Sequence, residues 1–410
     1  MEEFTIIRMG HQGDGIAAGP VFAPVTLPGE RVTGRLDGQA LRDVRIITPS
    51  DQRVAAPCLH FKTCGGCQLQ HASDGFVADF KMDVVRNALL AHGLQAEFRP
   101  IQTSPSRSRR RAVFSARRTK KGALAGFHAR ASNVVVAVPN CQLLHQDVVD
   151  ALPMVEALAV TGASRKAELS VTVIHSRVGL DVSVTGGKPL DQALRSALAV
   201  HAEAFRLARL NWDDETLAMR QPPLQRFGHF QVATPPGAFL QATEHGERVL
   251  TSAVQDAVLG ARQVVDLFCG SGTFTLPMAQ HAEIHAVDAV APMLSALDHG
   301  WRRAEGLKKV SHEVRDLFRR PLLTDELRRF DAVVLDPPRV GAEAQVAQVA
   351  AAPHAGRVGR VAYVSCNPVT FARDAAVLVA AGFTLDWVQV VDQFRWSAHV
   401  ELAAQFSHSA

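Results

Sequence analysis

The sequence contains no apolar run approaching the roughly 18–20 residues of a membrane span, no internal repeat and no low-complexity tract. Its first residues, Met1-Glu2-Glu3-Phe4, offer neither the basic nor the apolar segment of a secretory signal. The expected compartment is therefore the cytoplasm. There, six cysteines in 410 residues are expected as reduced thiols, metal ligands or catalysts, and disulfides are not. A large charge excess is also missing. The formal charge of +4 permits nucleic-acid binding without arguing for it, so the placement of charge matters more than its sum.

What is present is ordinary soluble material, 47% hydrophobic and 20% charged. The chain is too long for one ordinary core, so two or three domains are expected. Residues 4–48 read as short extended segments broken by Gly10, Gly13, Gly15 and the Pro28-Gly29 turn, which suggests a small β-barrel. Residues 56–75 hold three cysteines in a loop-like stretch. Residues 76–92 then place Phe80, Val84, Ala88 and Leu89 about one helical turn apart. From Arg107 to Lys121 there are eight Lys/Arg and no acid. Residues 123–139 alternate as strands around Ser132-Asn133, and 150–230 carry no chemical signature. From about residue 231, apolar strand-like runs at 263–268, 283–287, 330–335 and 360–365 are separated by helical segments at 243–258, 291–304 and 370–381. That alternation predicts α/β architecture, a parallel sheet covered on both faces.

The run Val264-Val265-Asp266-Leu267-Phe268-Cys269-Gly270-Ser271-Gly272-Thr273-Phe274 is a strand entering a glycine loop and then a helix. Gly270 and Gly272 let backbone pass close to a ligand. Asp288 closes the next strand about 20 residues beyond Asp266, the spacing at which an acid reaches ribose hydroxyls. A dinucleotide site would show a third glycine, and Phe274 stands near that place. S-adenosylmethionine has no pyrophosphate to cradle and fits better. Asp336-Pro337-Pro338-Arg339-Val340-Gly341 and Cys366-Asn367-Pro368 each follow an expected strand, where open α/β sheets place ligands. Ser397-Ala398-His399-Val400-Glu401 reads as a strand with His399 and Glu401 on one face. Cys366 is the candidate nucleophile and Glu401 the candidate base. A reactive thiolate calls for polar, partly positive surroundings around Cys366.

Together these pieces, with Phe239-Leu240-Gln241, Ser365-Cys366-Asn367-Pro368 and His399-Val400-Glu401, resemble the bacterial RNA uracil-C5 methyltransferases, particularly the iron–sulfur branch that modifies 23S ribosomal RNA. The resemblance implies a Rossmann-like class I methyltransferase domain, Cys366 as nucleophile and Glu401 as proton acceptor. It implies donor contacts from Gln241, Phe268, Thr273, Asp288, Asp316 and Asp336. Uracil C5 is too poor a nucleophile to take a methyl group unaided, and thiolate addition at C6 makes it enolate-like. Thr273 stands where the family usually has asparagine, Asp288 where it has glutamate, and Thr243 where it has asparagine. Asp392-Gln393-Phe394-Arg395-Trp396 replaces a more typical Asp-Met-Phe-Pro stretch.

Cys58, Cys64, Cys67 and Cys141 remain outside that half. Their spacing fits a tetrahedral zinc or a cubane cluster and does not choose between them. Cys64-Gly65-Gly66-Cys67 matches the family's cluster branch, which implies [4Fe–4S] in a structural, RNA-docking role. The amino-terminal pieces Gly13-Asp14-Gly15-Ile16-Ala17 and Leu27-Pro28-Gly29-Glu30 resemble the TRAM type of OB-fold used to grip RNA. The basic run 107–121 is expected to hold phosphates, and the target base to leave its stack.

The expected organisation is an OB/TRAM-like β-domain at 1–55, a central α+β iron–sulfur and RNA-binding domain at 56–230, its 76–92 helix against the methyltransferase part, and a methyltransferase domain at 231–410. The expected partner is 23S ribosomal RNA, with no membrane and a monomeric chain. The alternatives are the same chemistry on the T-loop uridine of tRNA and a non-catalytic RNA chaperone on the same fold. N-methylation of a base or protein amide would need neither Cys366 nor Glu401.

Overall fold

The computed structural model describes residues 2–352 and 358–408. The strands Glu2–Met9, Gly15–Ala17, Val21–Ala23, Arg31–Asp37 and Ala40–Thr48 close into a barrel. Ile6, Ala17, Val21, Ala23, Val32 and Leu41 fill it. Gly15 must be bare, because a Cβ there would stand 2.1 Å from the Thr26 Oγ1. Glu30 explains the Leu27-Pro28-Gly29-Glu30 motif. Its buried carboxylate accepts the Leu27 N–H at 2.8 Å and the Arg53 Nη2 at 2.8 Å, so it staples the turn to the chain leaving the barrel.

A second sheet runs Glu215–Met219, Arg209–Trp212, Gly179–Thr185, Glu168–Ser176, Arg111–Arg118, Ala123–His128, Val135–Val136. The helices Leu152–Gly162 and Gln192–Ala204 cover it, and Phe114, Leu158, Val171, Val182 and Trp212 share its core. The basic run falls on this sheet and is split by it. Ala112, Phe114 and Ala116 point inward. Arg110 is buried as well, ion-paired to Glu247 on the helix Glu244–Ala257. A cationic stretch was expected to face phosphates as a whole. Only Arg107, Arg117, Lys120 and Lys121 of its bases are exposed, and of these only Arg117 lies on the strand, the others flanking it where the chain leaves the sheet.

The third sheet runs Val310–Val314, Glu283–Asp288, Gln263–Leu267, Ala332–Leu335, Arg360–Ser365, Glu401–Ser407, Thr384–Asp392, Glu97–Thr103. Its first five strands are parallel. Glu401–Ser407 is antiparallel to both neighbours, so the expected parallel sheet is mixed at one side. Chain order reverses between Gln263–Leu267 and Ala332–Leu335, which opens a ligand crevice at the carboxyl ends of those strands. Expected helices and strands of this half fall within a few residues of the observed ones. The 76–92 helix is Asp74–Leu90, started by Ser73, whose side chain accepts the Phe76 N–H at 3.2 Å. Its Val85 and Leu89 enter the core beneath this third sheet, and Glu97–Thr103 joins the sheet as its edge strand. Residues 74–103 thus build on the carboxyl-terminal half. Lys81, fully buried, fastens the helix by donating to Asp392 at 2.5 Å and to the Phe394 carbonyl at 3.1 Å.

One expected strand is not there. The turn lies at Arg395 and Trp396, residues 397–400 belong to no strand, and the strand begins at Glu401. Trp396 adopts φ +62°, and its carbonyl accepts the Gln68 and Leu69 N–H groups, so the chain is bent before the ladder starts. Among the described residues, no helix is long and apolar enough to cross a membrane.

Candidate active site

The glycine loop follows the strand Gln263–Leu267. Phe268, Gly270 and Gly272 all have positive φ, at +63°, +56° and +91°. A Cβ on Gly272 would meet Leu297 at 2.4 Å, so the second glycine answers to packing as well as conformation. Phe268 is the unusual member, since an aromatic in the left-handed region is a strained backbone held by its surroundings. Asp288 closes the loop. Its Oδ2 accepts the Gly270 N–H at 2.9 Å and its Oδ1 the Val290 N–H at 2.8 Å. Asp316 caps its own turn by accepting the Phe318 N–H at 3.0 Å, which brings Phe318 to 5.4 Å from Phe268 ring to ring.

The Cys366-Asn367-Pro368 motif has a local logic. Cys366 ends the strand Arg360–Ser365. Asn367 caps the helix Pro368–Ala380 by accepting the Val369 N–H at 3.1 Å, and Pro368 occupies its first turn. The Asn367 Nδ2 and the Thr370 hydroxyl donate to the Arg339 carbonyl at 2.9 and 3.1 Å. The two proline loops are therefore tied together. The Arg339 guanidinium reaches His399, 3.0 Å from its Nδ1.

A cavity of about 540 Å³ collects these parts. It is lined by all six expected donor contacts, Gln241, Phe268, Thr273, Asp288, Asp316 and Asp336, and also by Cys366 and Glu401. A wider cleft of about 1030 Å³ lies beside it, between the barrel residues Arg8 and His11, the helix residues Phe76 and Asp79, and the Cys366 loop. Cys366, Arg339 and His399 border both spaces.

The cavity is acidic. Burial pushes Asp336 well above the usual carboxylate range, with Glu401 and Asp266 adding to the effect. Burial pushes Glu401 up to about 7, against a hydrogen bond from Gln393 and the Arg339 charge. Burial also pushes the Cys366 thiol up to about 11, with Glu401 and Asp336 adding and Arg339 opposing. The expected partly positive surroundings are thus not found. Two carboxylates outweigh one guanidinium, and the resting thiol is protonated near neutrality.

Two residues of the site were not foreseen. Gln393, wholly buried, contacts both Gln241 and Glu401. Arg339 was quoted only as part of a motif, yet it is the cation nearest in influence to both Cys366 and Glu401. The departure of 392–396 from the family pattern was the available signal for Gln393.

Cys58, Cys64, Cys67 and Cys141 are all half-buried. Each pair influences the other electrostatically. Burial raises Cys64, Cys67 and Cys141, Cys67 to about 12, with the neighbouring thiols adding. Gly65 lets the loop lie against the next chain segment, since a Cβ would stand 2.9 Å from the His128 carbonyl. Elsewhere His145, Asp147 and His175 converge. His145 Nδ1 accepts the Asp147 N–H at 3.3 Å, and His175 Nδ1 lies 2.9 Å from the Asp147 carboxylate without hydrogen-bond geometry.

A mixed sheet with its crevice at the strand-order reversal, a strained glycine loop closed by Asp288, and a β-barrel on the same chain define a class I methyltransferase with an added OB-like domain. Comparison with known proteins makes this particular. The family model described as tRNA (Uracil-5-)-methyltransferase matches residues 229–408. A Rhizobium meliloti protein described as an uncharacterized RNA methyltransferase is 42% identical, covering 98% of each chain. The 23S rRNA (uracil(1939)-C(5))-methyltransferase RlmD of a Shewanella species is 28% identical over 99% of this chain and 95% of its own. The crystal structure of the Pyrococcus abyssi tRNA (uracil-54, C5)-methyltransferase with S-adenosyl-L-homocysteine superposes with a TM-score of 0.75 at 20% identity, covering 98% of this chain and 99% of that one. This last likeness is one of fold. The chain belongs to the RNA (uracil-5-)-methyltransferase family, enzymes that methylate uracil C5 in RNA from S-adenosylmethionine.

Proposed function

We propose that this enzyme forms 5-methyluridine in 23S ribosomal RNA through a covalent bond between the Cys366 sulfur and C6 of the target base. The observation that carries the reading is that Cys366 borders both the smaller cavity and the wider cleft. A flipped base entering from the cleft would meet the thiol first, with the donor on the far side. Gln241, Phe268, Thr273, Asp288, Asp316 and Asp336 hold the donor. S-adenosylmethionine, when bound, supplies an electrophilic methyl group and a positive sulfonium. The Cys366 thiol loses its proton to solvent and its sulfur adds to C6, which moves electron density to C5. C5 takes the methyl group, and the electrons of the broken sulfur–methyl bond would stay on the donor sulfur, leaving a neutral thioether. Glu401 then accepts the C5 proton, and those electrons reform the double bond as the C6–S bond breaks. A base with its affinity near neutrality suits that task.

Cys58, Cys64, Cys67 and Cys141 hold a [4Fe–4S] cluster in this reading. Their mutual electrostatic influence supports a shared group, and the Cys64-Gly65-Gly66-Cys67 run, which resembles the family's cluster branch, favours a cubane over a single zinc. The cluster transfers no electron in the methylation and serves to shape the RNA-facing surface. The wide cleft and the exposed Arg107, Arg117, Lys120 and Lys121 supply the RNA path. Ribosomal rather than transfer RNA is favoured by the likeness to the Shewanella enzyme over 99% of this chain.

The deciding experiment maps 5-methyluridine in total RNA from cells with and without the gene. Loss of one 23S site supports the reading, and loss of the tRNA T-loop mark instead overturns its substrate. RNA carrying 5-fluorouridine at the site should trap a covalent complex through Cys366. Failure to trap one would reject the mechanism.

A further inference from the structure

Gln393 has no counterpart in the chemistry just described, yet it bonds to two residues of the cavity wall. It is 1% exposed. Its Oε1 accepts the Ala242 backbone N–H at 2.8 Å. Its Nε2 donates to the Gln241 Oε1 at 2.6 Å and to the Glu401 Oε2 at 3.0 Å. The orientation of this amide is forced. A backbone N–H can only donate, so the atom facing Ala242 must be the oxygen, and the nitrogen must face Gln241 and Glu401. Both amide hydrogens are then committed, one to each partner. Room for the side chain comes from Gly246, where a Cβ would stand 2.8 Å from the Gln393 Cβ.

We propose that Gln393 is a positioning residue that orients Glu401 for proton removal at C5 and ties that carboxylate to Gln241 on the donor side. The inference rests on Glu401 acting as the base in the covalent reaction. With Oε2 held by Gln393, Glu401 presents Oε1 to the C5 proton. With its oxygen taken, Gln241 presents its nitrogen as the hydrogen-bond donor to the methyl donor. The groups that bear electrostatically on Glu401 are Arg339, Asp336 and Cys366. Arg339 alone favours the carboxylate, so the Gln393 N–H is the second support of its ionised form. Removing that N–H leaves a buried carboxylate with less reason to stay charged.

The consequence falls on one step. Addition of Cys366 to C6 and methyl transfer to C5 need no proton acceptor at C5. Elimination does: the C5–H electrons must reform the double bond while the proton goes to Glu401 and the sulfur leaves. A poorly ionised or misaimed Glu401 strands the enzyme as a methylated C6–S adduct.

Gln393→Met and Gln393→Leu keep the volume and lose the amide. Each is incubated with unmodified substrate RNA and S-adenosylmethionine, and the denatured mixture is assayed for protein–RNA adduct carrying the methyl label. Turnover near pH 7 is expected to fall about tenfold or more, methylated adduct to accumulate where wild type shows little, and the acidic limb of the turnover profile to move up by about one pH unit. A purely structural role would lower folded protein without moving the limb or trapping the adduct. Glu401→Gln separates the two readings. If it traps methylated adduct while both Gln393 variants turn over with the wild-type profile, the Gln393 inference is wrong and the base assignment stands. If Glu401→Gln turns over freely, the base assignment fails and takes the inference with it.

Discussion

Cys366 and the group Cys58, Cys64, Cys67 and Cys141 are the same side chain in two settings. Burial raises Cys366, and so do two carboxylates, Glu401 and Asp336. Burial also raises Cys64, Cys67 and Cys141, but there the opposing neighbours are other thiols. Neighbouring carboxylates make a thiolate costly to keep, which suits a nucleophile that adds and is then expelled. The four thiols have no carboxylate among the neighbours that raise them. They ionise together only when a cation replaces their protons, which is the condition for metal ligation. The difference teaches that burial alone identifies neither role, and the identity of the second neighbour does.

The largest effect that tests this contrast is loss of the single thiol. Cys366→Ala should reduce methylation to background and abolish trapping by 5-fluorouridine RNA, while anaerobically purified protein keeps about four irons. Parallel loss of iron would collapse the distinction between the two settings. Cys67→Ser is the converse. Iron per chain should fall close to zero and the brown colour vanish, with S-adenosylmethionine binding by calorimetry within about twofold of wild type, since the donor cavity includes none of the four cysteines. Stoichiometric zinc in the wild-type protein would break the cluster assignment itself.

The acidic wall gives the next effect. Glu401 has a raised affinity for protons, so its carboxylate form grows as pH rises through about 7. The Cys366 thiolate also grows with pH, toward about 11. Both changes act in one direction. Multiple turnover, which needs both the thiolate and the Glu401 carboxylate, should therefore fall more steeply below about pH 7 than between pH 7 and 9 and show no descending limb from either group up to pH 9. A maximum below pH 6 would contradict the assigned base.

Much of this contrast was legible in the sequence, for a physical reason. Catalytic loops at strand ends must be short and conformationally fixed, so Gly270, Gly272, Pro337, Pro338 and Pro368 mark them in the chain itself. The Cys-Gly-Gly-Cys run is similarly local. What was not legible depends on partners distant in sequence. The strand expected at 397–401 begins only at Glu401, because Trp396 is held bent by Gln68 and Leu69. The electrostatics of Cys366 depend on Glu401 and Asp336, which periodicity cannot weigh. Glu97–Thr103 joins the third sheet by pairing with Thr384–Asp392, a contact no local pattern announces. Gln393 matters through Ala242, Gln241 and Glu401 together.

The basic run carries the same lesson and the smallest expected effect. Arg110 and Lys120 look alike in the chain, but Arg110 is buried against Glu247 and Lys120 is exposed. Removing an exposed lysine that neutralises a phosphate should reduce the salt slope of RNA binding by about 0.7–0.9, so Lys120→Ala with Lys121→Ala should lower it by roughly 1.5 without changing thermal stability. Arg110→Ala should act oppositely. It leaves Glu247 buried and unpaired, a loss of about 3–5 kcal/mol in folding, while the salt slope of the protein that remains folded stays the same. The two measurements, binding across a salt series and thermal denaturation, are independent. A reduced slope for Arg110→Ala would mean that this arginine reaches RNA, and that the interface between the second and third sheets opens to admit it.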